Sequence, residues 1–368
     1  MDKVKVLGQV FTKQNEIDRM ISLIENRDGR MLEPSCGDGA FFNHMKEQGF
    51  DIDGIELDPD VCPEDAVNMD FFDVVATYDV IIGNPPYVKG RSILPQTREK
   101  LDSKLIGAKG NLFLHFIERC INMLNDGGEL IFINPLDFTT TTNAAKLNKW
   151  MLSQGTITHF YDVSGQSSLF RGANPDNCCI WRFVKGATSH KVITNSGDTN
   201  LHFNNGRIFL NNLDYSVPFT DVFYIKVGAV PGQKDKFFGG DTPFVYSKTR
   251  VNGETRDYNY VPEEWIRKKP SQDDRDAPRL YVNGKTLQQN PFFTHECKDW
   301  DGSVLAIFPR DPNADVEKLA EMLNTQVDWD AFGFVWHGKY VFTHGHLSSM
   351  LLPDCFIGQK NPTLEDLL

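Results

Sequence analysis

The chain has 368 residues, of which 40% are hydrophobic and 24% are charged, and these values are ordinary for a globular protein of one large or two medium domains. It has no run of about 18 apolar residues and no basic-then-apolar N-terminus, which argues against a membrane span and a signal peptide, so we expect a cytoplasmic protein. Seven cysteines without a C-x-x-C spacing argue against a disulfide framework or a zinc ribbon, and the net charge of −12 argues against a uniformly basic nucleic-acid-binding surface.

The first predicted element is an amphipathic helix. Its apolar residues recur at the i, i+3, i+4, i+7 spacing of a single helical face, namely Ile17, Met20, Ile21 and Ile24. The segment Gly8–Thr12 precedes this helix, and we expect Thr12 near its N-cap.

A strand, a glycine-rich turn and a helix follow. The strand candidate is Arg30–Glu33, the turn contains Gly37 and Gly39, and the helical pattern extends to about Gln48. This arrangement is typical of the ligand cradle of doubly wound α/β folds, because glycine lets the backbone approach a ligand and a helix N-terminus supplies free N–H groups. Taken alone, an ordinary structural turn explains the pattern equally well.

Acidic residues come next along the chain. The strand Ile52–Asp58 ends in Glu56 and Asp58 about twenty residues after the glycine turn, where such folds place a carboxylate for ribose hydroxyls, and Glu56 is the better candidate. Asp70 could accept a hydrogen bond from an exocyclic amine while Phe71 covers a purine face. Core packing is the alternative role for Phe71.

The central motif is Asn84-Pro85-Pro86-Tyr87, which follows the apolar strand Tyr78–Ile82 and Gly83. The two prolines fix φ and remove two backbone donors, so we expect the carbonyls of Asn84 and Pro85 to point outward as fixed acceptors. Two acceptors beside the aromatic face of Tyr87 suit a planar group that carries an NH2. A rigid proline turn is the alternative for this motif considered alone.

The next part of the chain alternates helices and strands. Residues 88–110 are polar and basic and are expected to form a mobile loop over a site. The elements predicted after it are a helix capped by Asn111 and ended by Asp126-Gly127-Gly128, strand 129–133, helix 143–153, and strands 157–163 and 178–184. This alternation predicts an α/β fold whose sheet has helices on both faces.

A second domain is predicted from residue 216, with mixed and mostly β character. Phe223–Gly232 is its expected first strand and turn, and Val316–Gln326 its clearest helix. Residues 226–310 hold 14 basic and 12 acidic side chains, including the run Arg267-Lys268-Lys269. A local basic face is one explanation of this balance, and a solvated charged surface is another.

In this order, the motifs resemble those of the gamma-class, TaqI-like N6-adenine DNA methyltransferases. That family begins with Gly-x-Val-Phe-Thr-Pro, matched by Gly8–Thr12 with Lys13 in place of the proline. Its cofactor loop, acidic strand end, Asp-Phe pair and Asn-Pro-Pro-Tyr motif are matched by Glu33–Phe41, Glu56, Asp70-Phe71 and Asn84–Tyr87. The likeness covers residues 8–184, and residues 216–368 are a looser match to the family's target-recognition domains.

The resemblance implies a class I, Rossmann-like methyltransferase sheet in a catalytic domain of residues 1–215, a DNA target-recognition domain of residues 216–368, and S-adenosylmethionine as the cofactor. The implied cofactor-binding residues are Phe11, Thr12, Glu33, Gly37, Gly39, Glu56, Asp70, Phe71 and Asn84. The implied catalytic residues are Asn84, Pro85, Tyr87 and Phe170. Gly37 and Gly39 would admit the methionine part of the cofactor.

The implied function is site-specific methyl transfer to N6 of a flipped adenine in double-stranded DNA, within a bacterial or phage restriction-modification system. A cognate restriction endonuclease is the second expected partner, a monomer is favoured, and neither a metal nor a membrane is required. Alternatives are N5-glutamine methylation of a protein, RNA adenine or cytosine-N4 methylation, and a non-catalytic DNA-binding subunit.

Overall fold

The computed structural model describes residues 11–107, 109–164, 170–171, 177–228, 242–247, 249–251, 254–255, 259–261, 276–287, 290–332, 335–336 and 339–359. The chain divides into two compact units, residues 1–210 and 211–368, close to the boundary that the sequence predicts after residue 215. The turn at 229–232 and the basic run 267–269 lie outside the described residues.

The first unit alternates strands and helices from Phe11 onward. Its strands are β1 (Phe11–Thr12), β2 (Met31–Glu33), β3 (Ile52–Glu56), β4 (Val67–Asn68), β5 (Tyr78–Gly83), β6 (Leu124–Pro135), β7 (Gly155–Asp162), β8 (Phe170–Arg171), β9 (Cys178–Lys185), β10 (Lys191–Thr194), β11 (Gly197–Asn204) and β12 (Arg207–Asn211). Its helices are α1 (Gln14–Ile21), α2 (Ala40–Glu47), α3 (Pro95–Arg98), α4 (Leu112–Met123) and α5 (Ala145–Gln154).

One ten-stranded sheet organises this unit, in the order β12-β11-β10-β7-β9-β6-β5-β2-β3-β4. Strands β3, β2, β5 and β6 are parallel, and β9 lies antiparallel between β6 and β7. The carboxyl ends of the parallel strands therefore meet at one edge, which we call the carboxyl edge. The predicted methyltransferase-type α/β sheet is confirmed.

Helices cover both faces of the sheet because its central strands alternate apolar side chains between two cores. In β5, Ile81 belongs to one core, whereas Val80 and Ile82 belong to the other. Helices α4 and α5 pack on the first core, and α1 and α2 on the second. Each fully buried aliphatic or aromatic side chain contributes about 1.5–3 kcal/mol of transfer free energy, so this double cover fixes the carboxyl edge firmly.

Thr12 lies in β1 directly before Lys13, the N-cap residue of α1, and is therefore near the N-cap as predicted. Two other local predictions differ from the structure. Helix α4 ends at Met123, and Gly127 and Gly128 lie within β6, because a register shift against β5 accommodates them. Residues 90–98 form a short 3-10 turn and α3, and are not a featureless loop.

The second unit is mostly β, as predicted. Its strands are β13 (Tyr215–Pro218), β14 (Phe223–Val227), β15 (Thr242–Phe244), β16 (Arg250–Val251), β17 (Glu254–Thr255), β18 (Asn259–Val261), β19 (Leu280–Asn283), β20 (Lys285–Thr286), β21 (Phe292–Phe293), β22 (Val304–Pro309), β23 (Val335–Trp336), β24 (Lys339–Val341) and β25 (Leu351–Pro353). Its helices are α6 (Phe219–Val222), α7 (Val316–Thr325) and α8 (His344–Leu347). Its largest sheet is β14-β22-β19-β21.

The predicted helix of this unit is present as α7. Asp315 caps it, because its side chain accepts hydrogen bonds from the backbone N–H groups of Glu317 and Lys318, both at 3.1 Å. Across the described ranges of both units, no helix has the length and apolarity needed to cross a bilayer.

Candidate functional site

A pocket opens at the carboxyl edge of the sheet, where β2, β3 and β5 end. It holds about 950 Å³ of space, open solvent included. Seven of the predicted cofactor residues line it, namely Thr12, Glu33, Gly37, Glu56, Asp70, Phe71 and Asn84. The parallel strands explain this convergence, because side chains from separate chain segments arrive at the same edge.

Two further predicted cofactor residues have other positions. Gly39 lies beside the pocket lining as the N-cap residue of α2, with φ +82°. A Cβ there would lie 2.6 Å from Asn43 Nδ2 and 2.7 Å from Pro63 Cγ, so its glycine is required by the helix start. Phe11 pairs through its backbone with Arg171, and its side chain lies outside the described residues.

Glu56 forms the acidic end of β3. Its Oε2 accepts the N–H of Gly37 at 2.7 Å, and its Oε1 accepts the N–H of Asp58 at 2.8 Å. A carboxylate has about four lone-pair positions, so two remain for hydroxyl donors in the pocket. Asp58, the second candidate, is buried outside the pocket lining. Of these two candidates, Glu56 is the one that lines the pocket, and its contact with a ribose stays a prediction.

Asp70 has its side chain fixed by three donors. Its Oδ1 accepts the N–H of Phe72 at 3.0 Å, and its Oδ2 accepts from Thr97 Oγ1 and Lys100 Nζ, both at 3.1 Å. One lone-pair position is left, which suits a single donor such as an exocyclic amine. Neither Thr97 nor Lys100 was identified from the sequence, because no motif marks a partner on a following segment.

Phe71 combines the two roles that the sequence left open. It is buried in the core and stacks on Phe116, with ring centroids 4.6 Å apart and planes at 24°. It also contributes to the pocket wall. Its packing on Phe116 holds this wall in place, while its contact with a purine stays a prediction.

Glu33 is the most enclosed acid of the pocket. Its side chain is 2% exposed, and its Oε2 atom has no hydrogen-bond partner among the described residues. Burial, the largest cause, raises the pKa of this carboxyl well above its usual range, and the nearby charge of Glu56 adds to the effect. Glu33 therefore retains its proton to higher pH than an exposed glutamate.

This pKa predicts how stability depends on pH. A carboxyl that binds its proton more tightly in the folded state stabilises the fold fully below the unfolded pKa of about 4.3, and this contribution is lost as pH rises through the folded pKa. The cofactor-free protein should therefore lose stability relative to Glu33→Gln by up to about 1.4 kcal/mol per pH unit above pH 4.5. Urea unfolding of both proteins from pH 4.5 to 8 measures the difference, and parallel curves would contradict it.

Asn84 is held at two points. Its amide Nδ2 donates to Thr12 Oγ1 at 3.2 Å, and its backbone carbonyl accepts from Ser35 Oγ at 3.2 Å. The bond to Thr12 sets the amide plane and thereby the direction of Oδ1. The carbonyl of Asn84 was expected to point outward as a fixed acceptor; the bond from Ser35 fixes it, and its contact with a planar amine stays a prediction. Pro85, the next residue, is buried.

Tyr87 lies beside the pocket and does not line it. Its hydroxyl donates to the carbonyl of Ile133 at 3.0 Å, and its ring meets Phe113 edge to face, with centroids 6.1 Å apart. Burial of the hydroxyl raises the pKa of Tyr87 well above its usual range. The residue as a whole is only partly buried, and its ring is anchored at the polar end.

Phe170 approaches this region through its backbone. It pairs with Thr12 in the two-stranded sheet of β1 and β8. Thr12 in turn accepts the hydrogen bond from Asn84. The side chain of Phe170 lies outside the described residues, so its contact with a base stays a prediction.

The lining residues fit an adenosyl cofactor that carries a sulfonium. Carboxylates with unused lone-pair positions stand at Glu56 and Asp70, and Phe71 and Leu112 supply apolar wall. Acceptors suit hydroxyl and amine donors, apolar walls suit a purine, and the acidic lining favours a cationic ligand. The hydrogen-bond acceptors and apolar walls of the pocket thus agree with the cofactor that the motifs imply.

Comparisons with known proteins agree with this site. Residues 12–170 match the family described as Eco57I restriction-modification methylase. The chain is 32% identical over 190 residues to the Type II methyltransferase M.HincII of Haemophilus influenzae, covering 49% of this chain and 38% of that protein. It is 30% identical over 199 residues to the Type II methyltransferase M.TthHB8I of Thermus thermophilus, covering 49% and 45%.

A solved structure extends the likeness at the level of the fold. The Type IIL restriction-modification enzyme MmeI, solved in complex with DNA, has a TM-score of 0.53 at 12% identity, covering 94% of this chain and 64% of that one. The sequence matches span less than half the length of the curated relatives. The family match at residues 12–170 includes all the residues that line the pocket.

Proposed function

We propose that this chain, whose residues 12–170 match the Eco57I restriction-modification methylase family, transfers a methyl group from S-adenosylmethionine to N6 of adenine in double-stranded DNA. The observation that carries this proposal is the position of Asn84. Asn84 is one of the residues that line a pocket suited to the cofactor, and it also begins an Asn-Pro-Pro-Tyr motif suited to a planar amine. The pocket therefore joins a methyl donor to an amine acceptor.

Each part of the cofactor has residues that would hold it. The two remaining lone-pair positions of Glu56 suit the ribose hydroxyls, and the remaining position of Asp70 suits the adenine amine. Gly37 lies in the pocket wall on the cofactor loop, where the methionine part would be accommodated. Bound there, the sulfonium supplies an activated methyl group.

The role of the chain's own residues is to raise the reactivity of the amine. An aniline-like NH2 is a poor nucleophile because its lone pair is conjugated with the ring. If Asn84 Oδ1 and the Pro85 carbonyl accept its two N–H bonds, positive charge developing on nitrogen is stabilised. The bond from Asn84 Nδ2 to Thr12 fixes the side-chain acceptor in advance, and the bond from Ser35 to the Asn84 carbonyl holds the adjoining backbone, so little reorganisation is required when the methyl group is transferred.

The target base must leave the duplex to reach this site, because its amine is inaccessible within the stack. Flipping costs a few kcal/mol, and stacking on an aromatic ring returns about 1–3 kcal/mol per base. Tyr87 suits this role because its hydroxyl bond to Ile133 and its contact with Phe113 hold the ring still. Phe170 is the second aromatic residue proposed for the flipped base.

The second unit supplies the proposed target recognition, and a cognate restriction endonuclease is the proposed second partner. The described residues of the second unit include a lysine close to two aromatic rings. Lys226 Nζ lies 5.9 Å from the centroid of the Tyr224 ring and 6.0 Å from that of Phe308.

Transfer of tritiated methyl groups tests the proposal. Unmethylated bacterial DNA, total RNA and a protein extract are offered separately, and the labelled product is digested and identified. We expect N6-methyladenine in DNA, mapped by sequencing to one short context. Labelled N4-methylcytosine, RNA or glutamine would replace the proposal with another acceptor, and cofactor binding without transfer to any acceptor would make the chain a non-catalytic subunit.

A further inference from the structure

A second cleft lies at the carboxyl edge beside the cofactor pocket. It holds about 1150 Å³ of space, open solvent included. Its polar and charged lining residues include Lys89, Arg91, Lys109, Asn111, Asp137 and Asn143, and we call it the basic cleft. Phe113, the edge-to-face partner of Tyr87, also lines it. The basic cleft therefore begins where the proposed amine-binding motif ends.

Three cations of the cleft are available to a ligand. Lys89, Arg91 and Lys109 are exposed, and none of them forms an ion pair or a side-chain hydrogen bond within the described parts of the chain. Two neighbouring cations are already engaged: Arg98 donates to the carbonyl of Gly90 at 2.9 Å, and Lys100 pairs with Asp70 and Asp73. Unpaired cations on an acidic protein indicate an anionic partner.

One acid shares the cleft. Asp137 lines the basic cleft, and desolvation raises the pKa of its carboxyl. Three cations against this single lining acid leave the basic cleft net positive, in a chain whose formal charge is −12. A polyanion would therefore be attracted to this patch and repelled by most of the remaining surface.

We propose that the basic cleft binds the phosphodiester backbone of the DNA strand that carries the target base. This inference rests on the proposed function, because a flipped nucleotide presented to Asn84 and Tyr87 must bring its flanking phosphates to the same edge. Exposed lysine and arginine with adjacent amide side chains are the usual contacts to phosphate oxygens, and such contacts position the strand without reading its sequence. The cleft is thus assigned to strand positioning.

The test uses charge-removing variants of the whole chain. Arg91→Gln and Lys109→Gln each remove one cation from the cleft, and the double variant removes both. Lys191→Gln is the matched control, because Lys191 is an exposed cation at the start of β10, which runs parallel to β7 and so begins at the opposite edge of the sheet. Binding of a short fluorescein-labelled duplex is measured by anisotropy at several salt concentrations, which needs no knowledge of the recognition sequence.

We expect the slope of log Kd against log salt to become shallower by about 0.9 for each cleft variant and by about twice that for the double variant. Lys191→Gln should keep the wild-type slope. The dissociation constant of S-adenosylmethionine should be unchanged in all variants, since none of these residues lines the cofactor pocket. Retained cofactor affinity also shows that each variant is folded.

The outcomes separate this inference from the proposed function. If the wild-type chain methylates DNA and both cleft variants keep the wild-type salt slope, the assignment of the basic cleft is wrong and the proposed function stands. The same holds if Lys191→Gln changes the slope as much as the cleft variants do. If the cleft variants have shallower salt slopes but the wild-type chain methylates no DNA, the assignment of the basic cleft stands and the proposed function is wrong. A wild-type chain that binds no duplex would overturn both.

Discussion

Replacing Asn84 with alanine should lower kcat by about 10²–10³-fold or more, because an acceptor aimed at the developing positive charge is worth that much in a preorganised site. The dissociation constant of the cofactor should change by less than about threefold, which corresponds to under 1 kcal/mol. Single-turnover methyl transfer and equilibrium binding measure the two quantities separately. A variant with near-normal turnover would remove Asn84 from the mechanism.

Thr12→Val is the matched control for this prediction. It removes the hydroxyl that accepts from Asn84 Nδ2 at 3.2 Å and keeps the shape of the side chain. Loss of one such bond costs about 0.5–1.5 kcal/mol, so we expect kcat to fall by roughly tenfold. An equal loss in both variants would mean that Thr12 contributes more than orientation, and no loss in Thr12→Val would mean that the amide is positioned by other contacts.

Replacing Glu56 with alanine should weaken cofactor binding by at least about 100-fold, or 2.7 kcal/mol. The change removes the proposed acceptor for the ribose hydroxyls. It also leaves the N–H groups of Gly37 and Asp58 without the acceptor they have now, at about 1–3 kcal/mol for each group that stays unsatisfied. The cofactor loop would lose its fixed position at the same time. Isothermal titration with S-adenosylmethionine measures the effect.

Two variants control this experiment. Glu56→Gln keeps one acceptor oxygen and should fall between alanine and the wild type. Asp53→Ala removes a carboxylate from the same strand, where Asp53 pairs with Arg30 at 2.7 Å and is 40% exposed. This exposed pair contributes little to stability, so cofactor affinity should be unchanged. Comparable weakening in Asp53→Ala would mean that the β3 strand as a whole is responsible.

The main elements of the first unit could be predicted because their signals are local. The spacing of Ile17, Met20 and Ile21 identifies a helical face, and the run Tyr78–Ile82 identifies a buried strand. Seven of the nine predicted cofactor residues line the pocket, and most of these lie at or just after the end of a strand. The fold then brings strand ends together without further information from the sequence.

The contacts that fix the site were not predictable in the same way. Thr12 and Asn84 are 72 positions apart, Ser35 and Asn84 are 49 apart, and Asp70 and Thr97 are 27 apart. Periodicity reports which face of an element is buried, and it does not report which distant hydroxyl meets a given amide. Thr12 lies next to the N-cap residue of α1, as expected, but that position did not predict the hydrogen bond it accepts from Asn84.

Residues 88–110 show a different limit of prediction from sequence. Helix α3 has four residues, too few for a periodic signal. Its order comes from tertiary contacts: Ile93 and Thr97 are buried, and Arg98 ties the segment to the carbonyls of Gly90 and Ile93. Composition alone therefore predicts a loop for this segment, although its side chains form part of the pocket wall.

The position of β9 between β6 and β7 has a consequence for how the protein is made. During synthesis, β5 and β6 emerge before β9, so the fully buried stretch Leu130–Ile133 has an unpaired edge until residue 185 has left the ribosome. An apolar strand with free N–H and C=O groups is a template for intermolecular pairing. Nascent chains truncated before Cys178 should therefore depend on chaperones. Insertion of β9 between β6 and β7 is the step that protects this sheet from intermolecular pairing.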